Sequence, residues 1–330
     1  MSHSHNKEFC IGVDVGGTKV SSALFDRDGD ILSRSKVPLD KQGGEAAAGQ
    51  VVRTIQELEA AAAERKGTVG AAGVCVPGIA YQKTGLVWAP NIPGWNHFSL
   101  RERILDRWKL PLLIDSDRSA YVLGEQWCGA ARGLMDVVFL AVGTGIGAGI
   151  LSGGHVVRGF EDIAGAVGWF GLNPAFKKEY AEMGCFEAEA SGNSVGRKAR
   201  QALQAGIPSD MTRLAGGVID NVTAETVTTA ALKQDPLALK ILEETASYLA
   251  MGVANIVSVL NPEMVVLGGG LFQAGRLLLE PVRREFVRWA QPLAARSVRL
   301  ELSSLGEDAG LYGAGRLAWQ SLKGEDSCLP

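Results

Sequence analysis

The chain has 330 residues, enough for two domains that each bury a core, and 46% of its residues are hydrophobic. Its net charge of -3 includes no basic block, which argues against a nucleic-acid partner because phosphate neutralisation requires clustered Lys and Arg. No apolar run is long enough to span a bilayer, and five scattered cysteines without a C-x-x-C pair fit a reducing compartment. These features predict a soluble, cytoplasmic protein without a membrane partner.

The N-terminal part of the chain alternates strand and helix patterns. Residues 1–8 are predicted to be a disordered leader, and the alternating apolar residues from Cys10 to Leu24 predict paired strands. Glu45 to Gly67 predicts a helix ended by glycine, and the segment VGAAGVCVPG predicts a buried strand. Leu110 to Asp117 predicts another strand, followed by a helix. This alternation indicates an α/β domain in which polar residues at strand ends share a crevice.

The strand pattern returns after residue 120. Val137 to Gly154 again predicts a strand, a glycine-rich turn and a strand, so the chain is expected to repeat itself. The later elements are predicted as a helix from about Pro236 to Leu260, a strand from Met264 to Gly270 and a helix near Glu280 to Ala290. We therefore predict an N-terminal α/β domain over residues 9–120, completed by a C-terminal helix at about 310–330, and a second α/β domain over residues 121–309.

Glycine-rich turns begin at residues 16, 143 and 268. Backbone N–H groups in such turns form nests that bind phosphate. The chain lacks both GxxxxGK[ST] and a GxGxxG motif at a strand–helix junction, so neither a P-loop nor a Rossmann site is expected. Asp14 precedes the first turn and fits a hydrated Mg²⁺, which needs few protein ligands. On these residues alone, a glycine turn beside a solvated aspartate remains the alternative.

Six segments, in order, resemble the ROK family of bacterial sugar kinases and repressors, within the actin-like ATPase superfamily. They are DVGGTK (14–19), VPGIAYQKTGLVWAPNIPGW (76–95), VGTGIGAGILSGG (142–154), GCFEAEASG (184–192), ANIVSVLNPEMVVLGGG (254–270) and LGEDAGLYGA (305–314). The resemblance extends from Phe9 to about Leu322. It implies a two-domain α/β fold of the actin-like ATPase (ribonuclease H-like) type with an interdomain cleft. It also implies ATP-dependent phosphorylation of a sugar or polyol hydroxyl, Mg²⁺ as a cofactor and a homodimer.

The resemblance also implies where ATP binds. The first two hairpins would hold the phosphates, with Asp14 near the metal, and the third turn would border the adenosine. The residues that match these family positions are Asp14, Gly16, Gly17, Thr18 and Lys19 in the first hairpin, Gly143, Thr144, Gly145 and Gly147 in the second, and Gly268, Gly269 and Gly270 in the third turn.

Three polar residues match family positions that contact the sugar. Asp117 matches the catalytic aspartate and would accept the proton of the attacking hydroxyl, although an Asp here also suits the N-cap of a helix beginning near Ser119. Asn91 matches the sugar-binding asparagine, with a turn residue before Pro93 as the alternative. Glu187 resembles the glutamate that reaches a sugar hydroxyl, although its charge also suits a helix N-terminus.

The chain departs from the family pattern around the sugar. Ala166 and Trp169 stand where the family has the glutamate and histidine that contact the sugar's first two carbons, and Ser116 replaces the usual asparagine. Of the family's zinc ligands only Cys185 is present, so no zinc site is expected. The predicted substrate-binding residues are therefore Asn91, Ser116, Asp117, Ala166, Trp169 and Glu187. Phosphate chemistry is expected to be intact and substrate recognition altered.

Two functions compete with an ATP-dependent carbohydrate kinase. One is a catalytically silent sugar-binding protein, which the altered sugar motif favours but the presence of Asp14 and Asp117 opposes. The other is a sugar-sensing regulator. ROK repressors carry a DNA-binding helix-turn-helix before the first hairpin, and only about eight residues precede it in this sequence, so a regulator would lack its own DNA-binding domain.

Overall fold

The computed structural model describes residues 7–323, which divide into two compact units. The first unit comprises residues 7–133, 156–164 and 307–323, and the second comprises residues 134–155 and 165–306. The first unit therefore ends its main segment at Gly133, whereas the predicted boundary near residue 120 falls inside a helix. Most of the predicted leader, the end of the predicted C-terminal helix and Cys328 lie outside the described residues.

The strands are β1 (Lys7–Val15), β2 (Lys19–Phe25), β3 (Ile31–Pro38), β4 (Gly67–Val76), β5 (Ile79–Ala80), β6 (Val87–Trp88), β7 (Leu112–Ser116), β8 (Val137–Val142), β9 (Ile146–Ser152), β10 (His155–Val156), β11 (Met264–Gly268) and β12 (Arg299–Leu302). The helices are α1 (Gly44–Glu64), α2 (Leu100–Leu105), α3 (Asp117–Cys128), α4 (Tyr180–Met183), α5 (Cys185–Ala190), α6 (Gly192–Gln204), α7 (Met211–Leu214), α8 (Ala224–Leu232), α9 (Pro236–Leu260), α10 (Arg276–Trp289), α11 (Pro292–Ser297) and α12 (Ala309–Lys323). Because Lys7 and Glu8 belong to β1, the prediction that they are disordered is wrong.

The first unit contains a five-stranded sheet in the order β3-β2-β1-β4-β7. The β3-β2-β1 meander is antiparallel, whereas β4 pairs in parallel with both β1 and β7. The register aligns Asp14 with Cys75 and Cys75 with Asp115. Because β1, β4 and β7 run in one direction, their carboxyl ends meet at one edge of the sheet, where open α/β sheets place their ligands.

The second unit repeats this arrangement in a sheet of order β10-β9-β8-β11-β12. Here β8 and β9 form an antiparallel hairpin, and β11 pairs in parallel with β8 and β12. The predicted internal repeat is therefore confirmed at the level of strand order. It brings the end of β8, just before Gly143, and the end of β11, at Gly268, to the same edge of this sheet.

Helix ends follow the local chemistry of the chain. The predicted helix over 236–260 is confirmed as α9, which begins after Asp235, whose side chain accepts a hydrogen bond from the Ala238 amide. It ends at Asn261, which is left-handed with φ 44°. The predicted glycine end of α1 is wrong, because Lys66 takes the positive φ of 56° and Gly67 begins β4.

Helix α12 packs on α3 with backbone against backbone. A Cβ atom added to Gly124 would lie 2.3 Å from the Ala309 carbonyl oxygen, and one added to Gly313 would lie 1.8 Å from the Ala120 carbonyl oxygen. Since Cβ atoms do not approach backbone that closely, both positions require glycine. Part of the glycine excess in the sequence therefore serves helix packing rather than ligand binding.

Each unit has its own hydrophobic core. In the first unit, side chains such as Ile11, Leu24 and Ile55 pack between the sheet and α1. In the second, Leu140 and Phe186 pack with the apolar faces of α6, α8, α9 and α10. Along residues 7–323, no helix combines the length and the apolar character that crossing a membrane requires.

Candidate active site

The turn between β1 and β2 forms the first predicted phosphate hairpin. The Gly16 amide donates to the Lys19 carbonyl at 2.8 Å and closes the turn, while the Leu39 amide anchors the Thr18 carbonyl at 2.9 Å. Gly17 and Thr18 are exposed at the tip. A tight turn with an exposed glycine tip has the form that a phosphate-binding nest requires.

Lys19, predicted to contact the nucleotide, forms an ion pair in this structure. Its Nζ atom donates a hydrogen bond to Glu307 Oε2 at 3.1 Å, and this bond raises the pKa of Lys19. Both side chains are largely solvent-exposed, so the pair contributes little to stability. The contact between Lys19 and a nucleotide remains a prediction.

Asp14 lies at the carboxyl end of β1. Its Oδ1 atom accepts a hydrogen bond from the Cys75 thiol at 3.1 Å, and burial raises the pKa of Asp14. A Cβ atom on Gly310 would come within 3.0 Å of Asp14 Oδ2, so glycine leaves room beside this carboxylate. A single, partly buried carboxylate next to a phosphate-type turn fits a Mg²⁺ ion that keeps most of its waters.

Cys75 is a neighbour of Asp14 that sequence reasoning missed. The thiol is fully buried and also approaches the Gly310 carbonyl oxygen at 3.5 Å. Burial, followed by the charge of Asp14, raises the pKa of Cys75, so the thiol stays protonated and acts as a donor. Pairing β1 with β4 in parallel register would have placed Cys75 opposite Asp14.

Asp117 is the first residue of α3. Ser116 is the N-cap, since its Oγ atom accepts from the Ser119 amide at 3.2 Å, and the alternative reading of Asp117 as the cap is therefore wrong. The Arg118 amide donates to Asp117 Oδ1 at 2.8 Å, and the Tyr121 hydroxyl donates to Oδ2 at 3.3 Å. Burial raises the pKa of Asp117 to about 6, aided by Asp14 and opposed by Arg118.

Tyr121 and Ser116 are recognised from the sequence in different ways. Tyr121 follows Asp117 by one helical turn, so the i, i+4 spacing on α3 identifies it once the helix is predicted. Ser116, predicted to bind substrate, is buried and occupied in capping α3. Its contact with a sugar remains a prediction, while its cap fixes where the helix bearing Asp117 begins.

Asp115 supports the backbone next to Asp117. Its Oδ1 atom accepts from the Ser116 amide at 2.7 Å, and its Oδ2 atom accepts from Arg158 Nε at 2.9 Å. Asp115 is buried, so its charge requires a partner of this kind. Sequence reasoning missed this pair because Arg158 lies 43 residues along the chain and no local pattern connects the two.

Asn91 lies in the exposed turn after β6 and next to the first hairpin. A Cβ atom on Gly17 would lie 3.3 Å from Asn91 Cβ. The turn is held by the Ile92 amide, which donates to the Ala89 carbonyl at 3.0 Å, and by buried Trp95. The structure therefore places Asn91 beside the predicted phosphate turn, in a segment whose backbone is independently fixed.

The second hairpin joins β8 to β9. The Gly143 amide donates to the Gly145 carbonyl at 3.0 Å, and the Gly143 carbonyl accepts from the Gly192 amide at 2.8 Å. Glu187 Oε2 accepts from the Ile146 amide at 2.7 Å. Thr144 is exposed at the tip, and Gly147 lies in β9 opposite Ala141. Glu187 thus braces this hairpin, a contact that the sequence did not indicate.

The second hairpin and the third glycine turn line one pocket of the second unit, with a volume of about 550 Å³. Gly143, Thr144 and Gly270 face it, together with Asn193, Thr223 and Glu225, which sequence reasoning missed. This size lies within the range of small-molecule sites. The other two glycines of the third turn are closely packed: a Cβ on Gly268 would meet the Phe139 ring at 2.3 Å, and one on Gly269 would meet the Val142 carbonyl oxygen at 2.5 Å, while their contact with a nucleotide remains a prediction.

Ala166, Trp169 and Glu187 lie close together in the second unit. Ala166 precedes a short 3-10 turn over Val167–Trp169, and Trp169 remains 58% exposed. A Cβ atom on Gly168 would lie 3.2 Å from Glu187 Cβ. Burial raises the pKa of Glu187, opposed by the hydrogen bond from Ile146. The middle of this turn thus packs on Glu187, and the residues on either side of it, Ala166 and Trp169, are exposed.

The residues of this region do not fit the zinc site that the family resemblance implies. Cys185 is a buried thiol, and Trp169 stands where a histidine would be needed. Among residues 7–323, no group of three or more His, Cys, Asp and Glu side chains is placed to hold a metal ion. Tetrahedral zinc needs four such ligands or three and a water.

Comparison with known proteins agrees with this architecture. The ROK family model matches residues 10–321. The glucokinase of Halalkalibacterium halodurans is 32% identical over 314 residues, covering 94% of each chain. The crystal structure of a ROK family glucokinase from Streptomyces griseus, in complex with glucose and AMPPNP, has a TM-score of 0.77 at 30% identity and covers 94% of this chain and 99% of its own.

The same family includes regulators of transcription. The xylose repressor of Caldicellulosiruptor bescii is 28% identical over 316 residues, covering 92% of this chain and 76% of its own. The two sheets of equal strand order are the mixed α/β, two-domain actin-like ATPase fold of the ROK glucokinases. With a family match over almost its whole length and relatives above 30% identity, the chain belongs to the ROK family.

Proposed function

We propose that this protein transfers the γ-phosphoryl group of ATP to a hydroxyl of a sugar or sugar-like polyol. The observation that carries the proposal is the environment of Asp117, a carboxylate at the end of β7 whose pKa burial raises to about 6. Such a group is ionised at neutral pH and is more basic than an ordinary aspartate. It is therefore suited to general-base catalysis.

Each functional residue then has a defined role. Asp117 accepts the proton of the attacking hydroxyl, while the Arg118 amide and the Tyr121 hydroxyl hold its two oxygens. The exposed turn at Gly17 offers backbone amides to phosphate. Asp14 would hold Mg²⁺, which, when bound, neutralises charge on the β- and γ-phosphates. The pocket lined by Gly143 and Gly270 takes the nucleoside.

The proposed sugar-binding surface differs in its residues from a surface that is specific for glucose. A site built to hydrogen-bond a hydroxyl rejects analogues that lack it, because its own polar groups are then left unpaired. Ala166 offers no such group, and the exposed Trp169 offers one indole N–H donor beside a large apolar face. We infer that the substrate is a sugar substituted, deoxygenated or altered in its ring at the first two carbons, with Asn91 and Glu187 binding its other hydroxyls.

A sugar sensor without turnover is the second candidate. The relationship to a xylose repressor and the replacement of the family's glutamate and histidine by Ala166 and Trp169 favour it. A protein that binds without reacting needs neither a base nor a metal carboxylate. The geometry around Asp117 and Asp14 therefore favours the kinase.

The test is ADP release across glucose, N-acylated hexosamines, fructose, deoxy sugars and inositols. Asp117→Asn serves as the inactive form, and Asp106→Asn, at an exposed aspartate of the same unit, is the matched control. Turnover of at least one compound, lowered by about 10² or more in Asp117→Asn and retained in the control, is the expected result. Calorimetric binding of a sugar with no ADP release by the wild type would instead identify a sensor.

The assembly and location follow from the resemblance and from the cysteines. We propose a cytoplasmic homodimer that uses ATP and binds neither nucleic acid nor a membrane. The thiols of Cys10, Cys75, Cys128 and Cys185 are all unpaired, as a reducing compartment allows. Light scattering of the purified protein would measure the oligomer, and a mass equal to one chain would refute the dimer.

A further inference from the structure

Four side chains of the second unit meet around one buried carboxylate, and we call them the Glu189 clamp: Lys177, Tyr180, Glu189 and Lys198. Glu189 is only 3% exposed. Its Oε1 atom accepts from Lys177 Nζ at 2.5 Å and from the Tyr180 hydroxyl. Lys198 Nζ lies 3.3 Å from Oε2 and also donates to the Glu189 backbone carbonyl at 2.8 Å.

The clamp combines one buried carboxylate with two ammonium groups and one hydroxyl. A buried carboxylate is costly unless it is paired and hydrogen-bonded, and Glu189 has two ammonium groups and one hydroxyl within reach. Burial alone would raise the pKa of Glu189, but the hydrogen bonds from Lys177 and Tyr180 outweigh it and the pKa is lowered. Glu189 is therefore ionised at neutral pH, and its partners are drawn to it.

The clamp holds the loop that precedes α5. Asn173 Nδ2 donates to the Tyr180 hydroxyl at 3.2 Å, and Asn173 Oδ1 accepts from the Ala175 amide at 2.9 Å. The segment from Pro174 to Lys178 is otherwise exposed, whereas Tyr180 is buried. The two ends of this exposed segment are thus attached through Tyr180 and Lys177 to a single carboxylate on α5.

Helix α5 also carries Glu187, two residues before Glu189. Residues two apart on a helix point about 200° away from each other, since each residue turns the helix by about 100°. Glu189 can therefore face the clamp while Glu187 faces the second hairpin and accepts from the Ile146 amide. Because both residues belong to the same short helix, the contacts that fix Glu189 also fix Glu187.

We propose that the Glu189 clamp takes the place of a structural metal in this chain, and that Glu189 is a positioning residue that holds Glu187 against the second hairpin. Among the described residues, the loop between Trp169 and Cys185 lacks the ligands for zinc, and its Lys177 and Tyr180 are instead attached to the buried Glu189 of α5. The effect on sugar binding rests on the proposed kinase function. The effect on loop order does not.

Lys177 and Lys178 provide a direct probe, because trypsin cleaves after lysine and the loop must open locally to be cut. The variants are Glu189→Gln and the milder Tyr180→Phe, which removes only a hydroxyl and keeps the ring in the core. Glu182→Gln, at an exposed glutamate of α4, is the matched control. Three measurements are made on the full chain: the rate of cleavage at Lys177 and Lys178, hydrogen exchange of the peptide containing Ile146, and zinc content by elemental analysis.

We expect trypsin to cleave Glu189→Gln about 10-fold faster than the wild type, because losing a hydrogen bond to a charged group has an effect of this size. The increase in Tyr180→Phe should be smaller. Exchange at Ile146 rises in the same order, the control matches the wild type, and no stoichiometric zinc is found. For the sugar that the panel identifies, the KM for sugar and the KM for ATP both rise, because Glu187 is proposed to bind the sugar and also braces the hairpin that is proposed to hold the nucleotide. Cleavage and exchange at control rates in both variants, one zinc per chain, or faster cleavage without faster exchange at Ile146 would each overturn the proposal. The first two measurements keep their meaning if no sugar is phosphorylated.

Discussion

The partly exposed Arg158 forms an ion pair with the buried Asp115 beside the proposed base. Arg158 Nη2 lies 2.8 Å from Asp115 Oδ2, and the other oxygen of Asp115 holds the Ser116 amide. We expect Arg158→Gln to lower the free energy of unfolding by about 3 kcal/mol, because it leaves the Asp115 carboxylate buried without a counter-charge. Urea denaturation of both proteins measures this difference.

A double-mutant cycle separates the pair from its surroundings. Asp115→Asn in the Arg158→Gln background should recover part of the loss, since a neutral amide is less costly to bury than an unpaired carboxylate. Additive losses in the double variant would show that the two side chains do not depend on each other.

The pH dependence of turnover reports on Asp117. Burial, and secondarily Asp14, raise the pKa of Asp117 to about 6, and only the ionised form accepts a proton. The value of kcat/KM should therefore be level above this pKa and fall by about 10-fold per pH unit below it. An Asp106→Asn control should give the same profile. A profile that stays level down to pH values near the ordinary pKa of aspartate would remove Asp117 from the role of base.

The same shift predicts a gain in stability when the base is removed. The folded pKa of Asp117, about 6, lies above its ordinary value of 3.8, so folding favours the protonated form. The stabilisation that the protonated Asp117 gives to the folded state is fully present at pH values below its ordinary pKa. It is lost as the pH rises through the folded pKa of about 6. Asp117→Asn should raise the free energy of unfolding by about 1–3 kcal/mol at pH values above the folded pKa. This gain should disappear below the ordinary pKa, as denaturation at several pH values measures. Equal stability at neutral pH would contradict it.

Magnesium dependence tests the role of Asp14. Asp14→Asn keeps the shape of the side chain and can still accept from Cys75, but it removes the charge that binds a divalent cation. We expect the Mg²⁺ concentration for half-maximal activity to rise by about 10-fold, the scale of losing one charge-assisted contact. Asp28→Asn, at an exposed aspartate, is the control. A magnesium titration identical to that of the wild type would refute the metal assignment.

Specificity should follow Ala166 and Trp169. The double change Ala166→Glu with Trp169→His restores the hydrogen-bonding groups of the family at two exposed positions of one turn. We expect it to shift kcat/KM toward glucose by about 10² or more relative to deoxy or N-acylated sugars, because a site with polar groups penalises substrates that leave them unpaired. The reading of this surface fails if the wild type is already selective for glucose and the double change leaves its preference unmoved.

Sequence reasoning located the parts of the fold that depend on local pattern. The α9 boundaries, the two glycine hairpins and the repeat of strand order all follow from hydrophobic period and turn chemistry. The sequence alone left open the alternative reading of Asp117 as the cap of α3, because Ser and Asp both favour that position and only the geometry shows that Ser116 occupies it.

The contacts that support the site depend on tertiary proximity. Cys75 reaches Asp14 across paired strands, and Arg158 reaches Asp115 from a distant segment. The Glu189 clamp joins a loop to a helix through residues that each read as ordinary surface charges in the sequence. The glycines at 268 and 269 have a packing role that the sequence did not indicate, because an added Cβ would meet Phe139 or the Val142 backbone, and their contact with a nucleotide remains a prediction.

The contact of Gly124 and Gly313 across α3 and α12 has a consequence for mutational data. Because the two backbones touch, an added methyl group at either position has no free space and must push the helices apart. Because α3 begins with Asp117, a displacement of this helix also displaces the Asp117 carboxylate. In a saturation screen scored by activity, both glycines would rank with the active-site residues although neither is proposed to contact a substrate. Positions that do not tolerate substitution in this protein therefore include the helix contacts that position the proposed base as well as the base itself.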